Sequence, residues 1–362
     1  MKAAVYHGRF DIRMEELERP EPADDELLVA VTGVGICGTD ATEFAHGPTM
    51  FPIEHRHDVT GHVGPMVPGH EFAGRVVRVG SAVTGFGEGD LITSGAGISC
   101  GTCPRCLEGR TNLCDRYSTV GLQRNGGLAE FTTVPATACV NVEHRSLTSD
   151  VAAMAQPMSI AVHAMRRGRL LVGERVVVLG AGGIGAFLIH AAAKEGAEVT
   201  AVDLDSDRLA TAQALGAANL IQTDRESSIL EQLTGRGLDP AVVYECTGIP
   251  PAVEAAVELT VPGGRLVMVG LHKAPVPVDL LSVSLQEMEL IGTLAHVFGA
   301  DFGHSIDLLE DETDLWTSVA PTVLPLEELV DSGLKPMVDG GPTPIKTLLD
   351  PRIDTPRPVQ TS

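Results

Sequence analysis

The stretch Arg175–Gly196, RVVVLGAGGIGAFLIHAAAKEG, decides the fold. Its opening, RVVVL, is Val-rich and apolar after the arginine, as a strand buried on both faces should be. Gly180-Ala181-Gly182-Gly183-Ile184-Gly185 then matches G-x-G-x-x-G. An apolar helical run follows, and Gly196 is placed to end it. EVTAVD, Glu198–Asp203, reads as the next strand and finishes on a carboxylate. Strand, glycine turn, helix, and strand with a terminal acid make a dinucleotide-binding βαβ unit. Gly180 permits the tight turn, Gly182 admits a pyrophosphate, and Gly185 lets helix and strand pack closely. The helix N-terminus then faces the phosphates. Asp203 is expected to accept hydrogen bonds from the adenosine ribose and to repel a 2′-phosphate, which favours NAD over NADP. Arg208 joins this expected cofactor set. So do Thr247, Val269, Gly270 and Leu271, which follow later strands.

Outward from this unit the same alternation continues. A helix is expected around Asp207–Leu215, and strands at AVVYEC (Ala241–Cys246) and RLVMVG (Arg265–Gly270). Strands alternating with helices predict an α/β, doubly wound parallel sheet, assigned to residues 151–297. The first 150 residues differ. EFAGRVVRVG (Glu71–Gly80), GDLITS (Gly89–Ser94) and GGLAEFTTVP (Gly126–Pro135) are short β-rich runs bounded by Gly and Pro, which suggests a barrel-like, mostly β domain. Residues 298–362 are expected to return to it. LPLEELVDSG, Leu324–Gly333, reads as a helix, and the Pro-rich tail beyond Asp350 as loose.

A chain of 362 residues is long for one core, so two domains are expected. A formal net charge of -22 argues against nucleic acid and anionic membrane surfaces as partners. No apolar run approaches a membrane span and no secretory leader is read, so a cytoplasmic location is expected. There a cluster among the seven cysteines points to metal rather than disulfides. Cys100, Cys103, Cys106 and Cys114 form C-x2-C-x2-C-x7-C. Four thiolates in one loop suit a closed, structural zinc site; an iron–sulfur cluster ranks below it.

GVGICGTD (Gly33–Asp40), GHE (Gly69–Glu71), the four-cysteine loop and GAGGIG occur in the order seen in the zinc-containing medium-chain alcohol dehydrogenases. The chain resembles that family over nearly its whole length, most of all its 2,3-butanediol and sorbitol (polyol) branch. The resemblance implies a GroES-like catalytic domain beside a Rossmann domain, one catalytic and one structural zinc, and assembly as dimers or tetramers. It implies Cys37 and His70 as catalytic zinc ligands and Glu71 as a direct ligand or a group exchanging with water. It also implies Asp40 orienting His70, and Thr39 taking the alcohol proton. The expected reaction passes hydride between a secondary alcohol, a diol, polyol or sugar-like compound, and NAD.

Two positions depart from the branch. Gln156-Pro157 stands where Glu-Pro is usual, so either Gln156 or Glu71 completes the metal site. Thr42 stands where many relatives carry a relay histidine; His46, His55, His57 and His62 are alternatives nearby. The departures leave other substrates open, such as a sugar, an amino alcohol or a biosynthetic intermediate. They also leave open a non-catalytic nucleotide-binding relic. A zinc-free double-bond reductase would lack Cys37, His70 and Glu71.

Overall fold

The computed structural model describes residues 1–361. The chain divides into two compact units, one formed by Met1–Ser159 with the chain from His296 onward, the other by Ile160–Ala295. The first division falls inside the helix Ala155–Arg167, after the change in sequence character at Ser149.

The first unit is mostly β. β1 (Lys2–Gly8) and β2 (Asp11–Glu16) form a hairpin. β3 (Glu26–Gly35) leads into helix α1 (Gly38–His46), and β4 (Glu71–Val79) and β5 (Leu91–Ser94) follow. β6 (Gly97–Ile98) pairs with β7 (Ser118–Thr119) across a lobe holding the short helix α2 (Pro104–Leu107). β8 (Phe131–Pro135), β9 (Cys139–Asn141), helix α3 (Ser149–Ala152) and helix α4 (Ala155–Arg167) complete the first pass. With few aromatics available, the core is largely aliphatic: Val29, Val31, Val34, Ile92 and Val134 share one buried cluster with Phe72.

The second unit runs β10 (Arg175–Leu179), α5 (Gly183–Lys194), β11 (Glu198–Asp203), α6 (Ser206–Ala214) and β12 (Asn219–Gln222). It continues through α7 (Ile229–Leu233), β13 (Val242–Glu245), α8 (Pro250–Leu259), β14 (Arg265–Met268), α9 (Leu280–Leu285) and β15 (Glu289–Gly292). All six strands are parallel, in the order β12-β11-β10-β13-β14-β15. The order reverses between β10 and β13, the switch point where such sheets bind ligands. This is the doubly wound sheet expected from the glycine turn.

The chain then returns to the first sheet with β16 (Thr322–Pro325), β17 (Leu348–Asp350) and β18 (Arg357–Pro358), giving the order β18-β16-β17-β3-β4-β5-β9 with β8 also on β3. At one end of this sheet Gly35 pairs with both Glu71 and Leu348. That three-strand end carries the site below.

Three local expectations are corrected. In GGLAEFTTVP only Phe131–Pro135 is strand; Gly126, Gly127 and Leu128 instead donate backbone hydrogen bonds to Val67, Gly69 and Pro68. In LPLEELVDSG, Leu324 and Pro325 belong to β16, because a residue before proline is pushed out of the helical region. Helix starts only at Leu326, as one 3-10 turn followed by wide π-type turns over Leu329–Leu334. The Pro-rich tail is not loose: β18 pairs with β16, and Arg357 bridges the buried Asp150 and Asp350.

Candidate active site and metal centres

The β3–β4 register explains why Cys37 and His70 meet. Gly35 faces Glu71, so Cys37, just after the end of β3, and His70, just before the start of β4, emerge together. Cys37 caps α1, and its N–H donates to the Asp40 carboxylate at 2.9 Å. Ligand atoms of Cys37, His70 and Glu71 all lie within 4.8 Å of one another. His70 Nδ1 is 3.8 Å from Asp40 Oδ1. His70 Nδ1, Asp40 Oδ1 and Glu71 Oε1 are buried without a hydrogen-bond partner. Such atoms are costly unless something pairs with them.

The electrostatics point the same way. Burial opposes an imidazolium at His70, yet Asp40, Cys37 and Glu71 outweigh it and push the group up to about 10. Burial raises the Asp40 carboxyl. The pocket favours positive charge, and a thiolate, an imidazole and a carboxylate are donors that suit zinc.

One residue here was invisible to sequence reasoning. Lys346, two positions before β17, is buried and donates to Glu71 Oε2 at 2.6 Å and to the Ile36 carbonyl at 3.1 Å. Burial would lower its pKa, but Glu71 and Cys37 hold it above the ordinary lysine value. Nothing in sequence spacing links Lys346 to Glu71; only the pairing of β17 with β3 does. Gly121 and Gly126 also escaped notice. A side chain at either would strike the Gly69 carbonyl, behind the turn that presents His70.

Thr39 lies beside the cluster, with Oγ1 3.7 Å from Cys37 Sγ. Gln156 is buried near the start of α4, in the same unit. Thr42 is half-buried on α1. His46 and His55 are exposed. His57 Nδ1 sits 3.2 Å from the Thr60 hydroxyl, and His62 Nε2 3.2 Å from the Gly64 carbonyl. Those two histidines are thus engaged within their own loop.

The four sulfurs of Cys100, Cys103, Cys106 and Cys114 also lie within 4.8 Å of one another. Backbone N–H groups of Cys103 and Cys100 donate to Cys100 Sγ and Cys114 Sγ at 3.3 and 3.2 Å, and Arg116 N–H adds a second donor to Cys114. Hydrogen bonds from Thr102 and Cys103 lower Cys100 to about 6. Burial pushes Cys106 up to about 11. A lobe that gathers four sulfurs and aims backbone N–H groups at two of them fits a closed tetrahedral metal site.

In the second unit the glycine turn is as tight as its motif requires. Gly180 has φ +95°, and a side chain at Gly185 would strike the Gly180 carbonyl. Gly182 caps α5, followed by Gly183 and Ile184 in its first turn. Arg208 Nη1 lies 3.0 Å from where a Gly182 side chain would begin. Asp203 Oδ2 accepts the Ala181 N–H at 2.7 Å, which ties the carboxylate to the turn. Thr247 follows β13; Val269, Gly270 and Leu271 follow β14. This glycine-lined turn, with the Asp203 carboxylate at its edge, fits a dinucleotide lacking a 2′-phosphate.

Comparison with known proteins adds to this geometry. Residues 23–144 match the family described as alcohol dehydrogenase GroES-like domain, and residues 183–311 the family described as zinc-binding dehydrogenase. The chain is 31% identical over 353 residues to 2-dehydro-3-deoxy-L-galactonate 5-dehydrogenase of Pseudoalteromonas atlantica, covering 97% of this chain and 98% of that one. It is 33% identical over 297 residues to sorbitol dehydrogenase of Homo sapiens, covering 81% of each. Among solved structures, 2R,3R-butanediol dehydrogenase from Bacillus subtilis superimposes with a TM-score of 0.87 at 26% identity, covering 97% of this chain and 99% of that one.

Proposed function

This chain belongs to the zinc-containing medium-chain alcohol dehydrogenases, and from that membership we propose that it transfers hydride between a secondary alcohol of the diol, polyol or sugar-acid class and NAD, giving the ketone. The observation that carries this reading is the gathering of Cys37, His70 and Glu71, with buried polar atoms lacking partners, at one end of β3 and β4.

Cys37, His70 and Glu71 would hold the catalytic zinc, which supplies a Lewis acid able to lower the pKa of an alcohol. Cys100, Cys103, Cys106 and Cys114 would hold the structural zinc. Gly180–Gly185, Asp203 and Arg208 would hold the adenosine and pyrophosphate half of NAD, whose nicotinamide supplies the hydride acceptor. Asp40 fixes the ring of His70. Thr39 accepts the alcohol proton. Glu71 serves as the third protein donor through Oε1, since Lys346 already occupies Oε2. Gln156 is neutral, so as a donor to the metal it would add no charge.

Homodimers or homotetramers in the cytoplasm are part of the same reading. Support comes from the edge strand β15, where Leu290 and nearby Leu280, Leu281 and Leu285 are exposed, and from seven free cysteines. Among the described residues no helix is long and apolar enough to cross a membrane.

The test is Cys37→Ser. Turnover on 2,3-butanediol, polyols and sugar acids, followed by NADH absorbance, should vanish while NADH binding persists. Full activity in this variant sinks the proposal. Tighter binding of NADPH than NADH would overturn the cofactor choice, which rests on Asp203.

A further inference from the structure

Glu245, the last residue of β13, is fully buried yet only half satisfied. Its Oε1 accepts the Thr247 N–H at 2.7 Å, the Gly248 N–H at 3.0 Å and the Thr247 hydroxyl. Its backbone carbonyl accepts the N–H groups of Val269 and Gly270 at 2.9 and 2.8 Å. Its Oε2 has no hydrogen-bond partner, but His272 Nε2 stands 3.3 Å away. Neither ring nitrogen of His272 has a hydrogen-bond partner.

The two loops that Glu245 ties together abut closely. A side chain at Gly248 would meet the Leu271 carbonyl at 2.7 Å, and one at Gly270 would meet Glu245 Oε2 at 2.8 Å. Both loops lie at the C-terminal ends of β13 and β14. Asp203, the adenosine-side carboxylate, ends β11, on the other flank of β10. A dinucleotide laid across the switch point therefore puts its nicotinamide half over β13 and β14.

We propose that Glu245 and His272 form a positioning pair for the nicotinamide-ribose half of the cofactor. The buried carboxylate is costly unless a donor faces Oε2. His272 Nε2–H is that donor. This fixes the ring, both of whose nitrogens are buried, and holds the loop after β14 against the end of β13, so the pair acts on the cofactor by positioning that loop. The pair rests on the NAD reading above, and the experiment separates the two.

NADH and ADP binding are measured on the intact protein, NADH by its fluorescence enhancement and ADP by competition. ADP carries only the adenosine half. His272→Ala should weaken NADH about tenfold and leave ADP within twofold of wild type. Glu245→Gln should do the same, because its amide offers the imidazole a donor where the carboxylate offered an acceptor. His272→Gln, which can still donate, should recover most of the loss. Unchanged NADH binding in His272→Ala overturns the pair. Equal weakening of NADH and ADP also overturns it, since that reports collapse of the loops rather than loss of one contact. If wild-type protein binds neither ligand, the NAD reading itself fails and the pair falls with it.

Discussion

Lys346 Nζ lies 2.6 Å from Glu71 Oε2, with both side chains buried. Glu71 therefore divides its charge between an ammonium on one oxygen and whatever occupies the pocket on the other. Removing one partner of a buried pair costs about 3–5 kcal/mol, because the remaining charge is stranded. Lys346→Met should thus lower the urea midpoint. The loss should be larger in protein stripped of catalytic zinc than in zinc-loaded protein, where the metal still neutralises Glu71. An equal loss in both forms would show that Glu71 does not face the metal.

Gly35 makes that ion pair possible. A side chain there would strike Glu71 Oε2 and come within 3.3 Å of Lys346 Cδ. Its partners across the sheet, Glu71 and Leu348, leave it no room to shift. Gly35→Ala is expected to cost about 1–3 kcal/mol by overpacking. It should also weaken zinc retention against a chelator. A variant with wild-type stability and zinc content would show that the strand end is more compliant than its contacts imply.

What the sequence revealed depended on whether cause and effect were close in the chain. The glycine turn, α5 and the carboxylate of Asp203 lie within one βαβ unit, so their pattern was readable. The cysteine lobe is a single short loop, readable for the same reason. Cys37 and His70 stand far apart and were legible only through family resemblance; the β3–β4 register supplies the physical reason. Lys346 and the Glu245–His272 contact arise from strand pairing across long separations, and no local spacing encodes them. The tail after Asp350 misled because proline content signals an absence of helix, not an absence of order. Its anchoring depends on two buried carboxylates far apart in sequence, Asp150 and Asp350.

The cysteine lobe gives a prediction read out by metal content. If Cys100, Cys103, Cys106 and Cys114 enclose one ion and Cys37, His70 and Glu71 hold another, wild-type protein carries about two zinc per chain. Cys103→Ser should bring this to about one and make the lobe between β6 and β7 susceptible to protease. NADH affinity should be unchanged, because the dinucleotide turn belongs to the other unit. Zinc content that stays at about two in Cys103→Ser would refute a separate thiolate site. Elemental analysis after gel filtration decides.

The anchored tail makes the last prediction, one with a sign in pH. Asp350 is buried; burial alone would raise its pKa, but hydrogen bonds from Arg352 and Arg357 outweigh this and hold it below the ordinary value of 3.8. A carboxyl that binds protons less tightly folded than unfolded stabilises the fold fully above its unfolded pKa. That stabilisation disappears as pH falls below 3.8 toward the lower folded value. Arg357→Ala strips a partner from both Asp350 and Asp150. Because the arginine is partly exposed, the cost at neutral pH should be nearer about 2 kcal/mol than the full value for a buried pair. In the variant, Asp350 should titrate closer to its unfolded value, so acid removes less of what remains. The stability difference between wild type and Arg357→Ala should therefore shrink as pH is lowered through this range. Urea unfolding followed by circular dichroism at pH 7 and at successively lower pH measures that difference. A gap that stays constant or widens in acid would mean that the arginine holds the tail by packing rather than by charge.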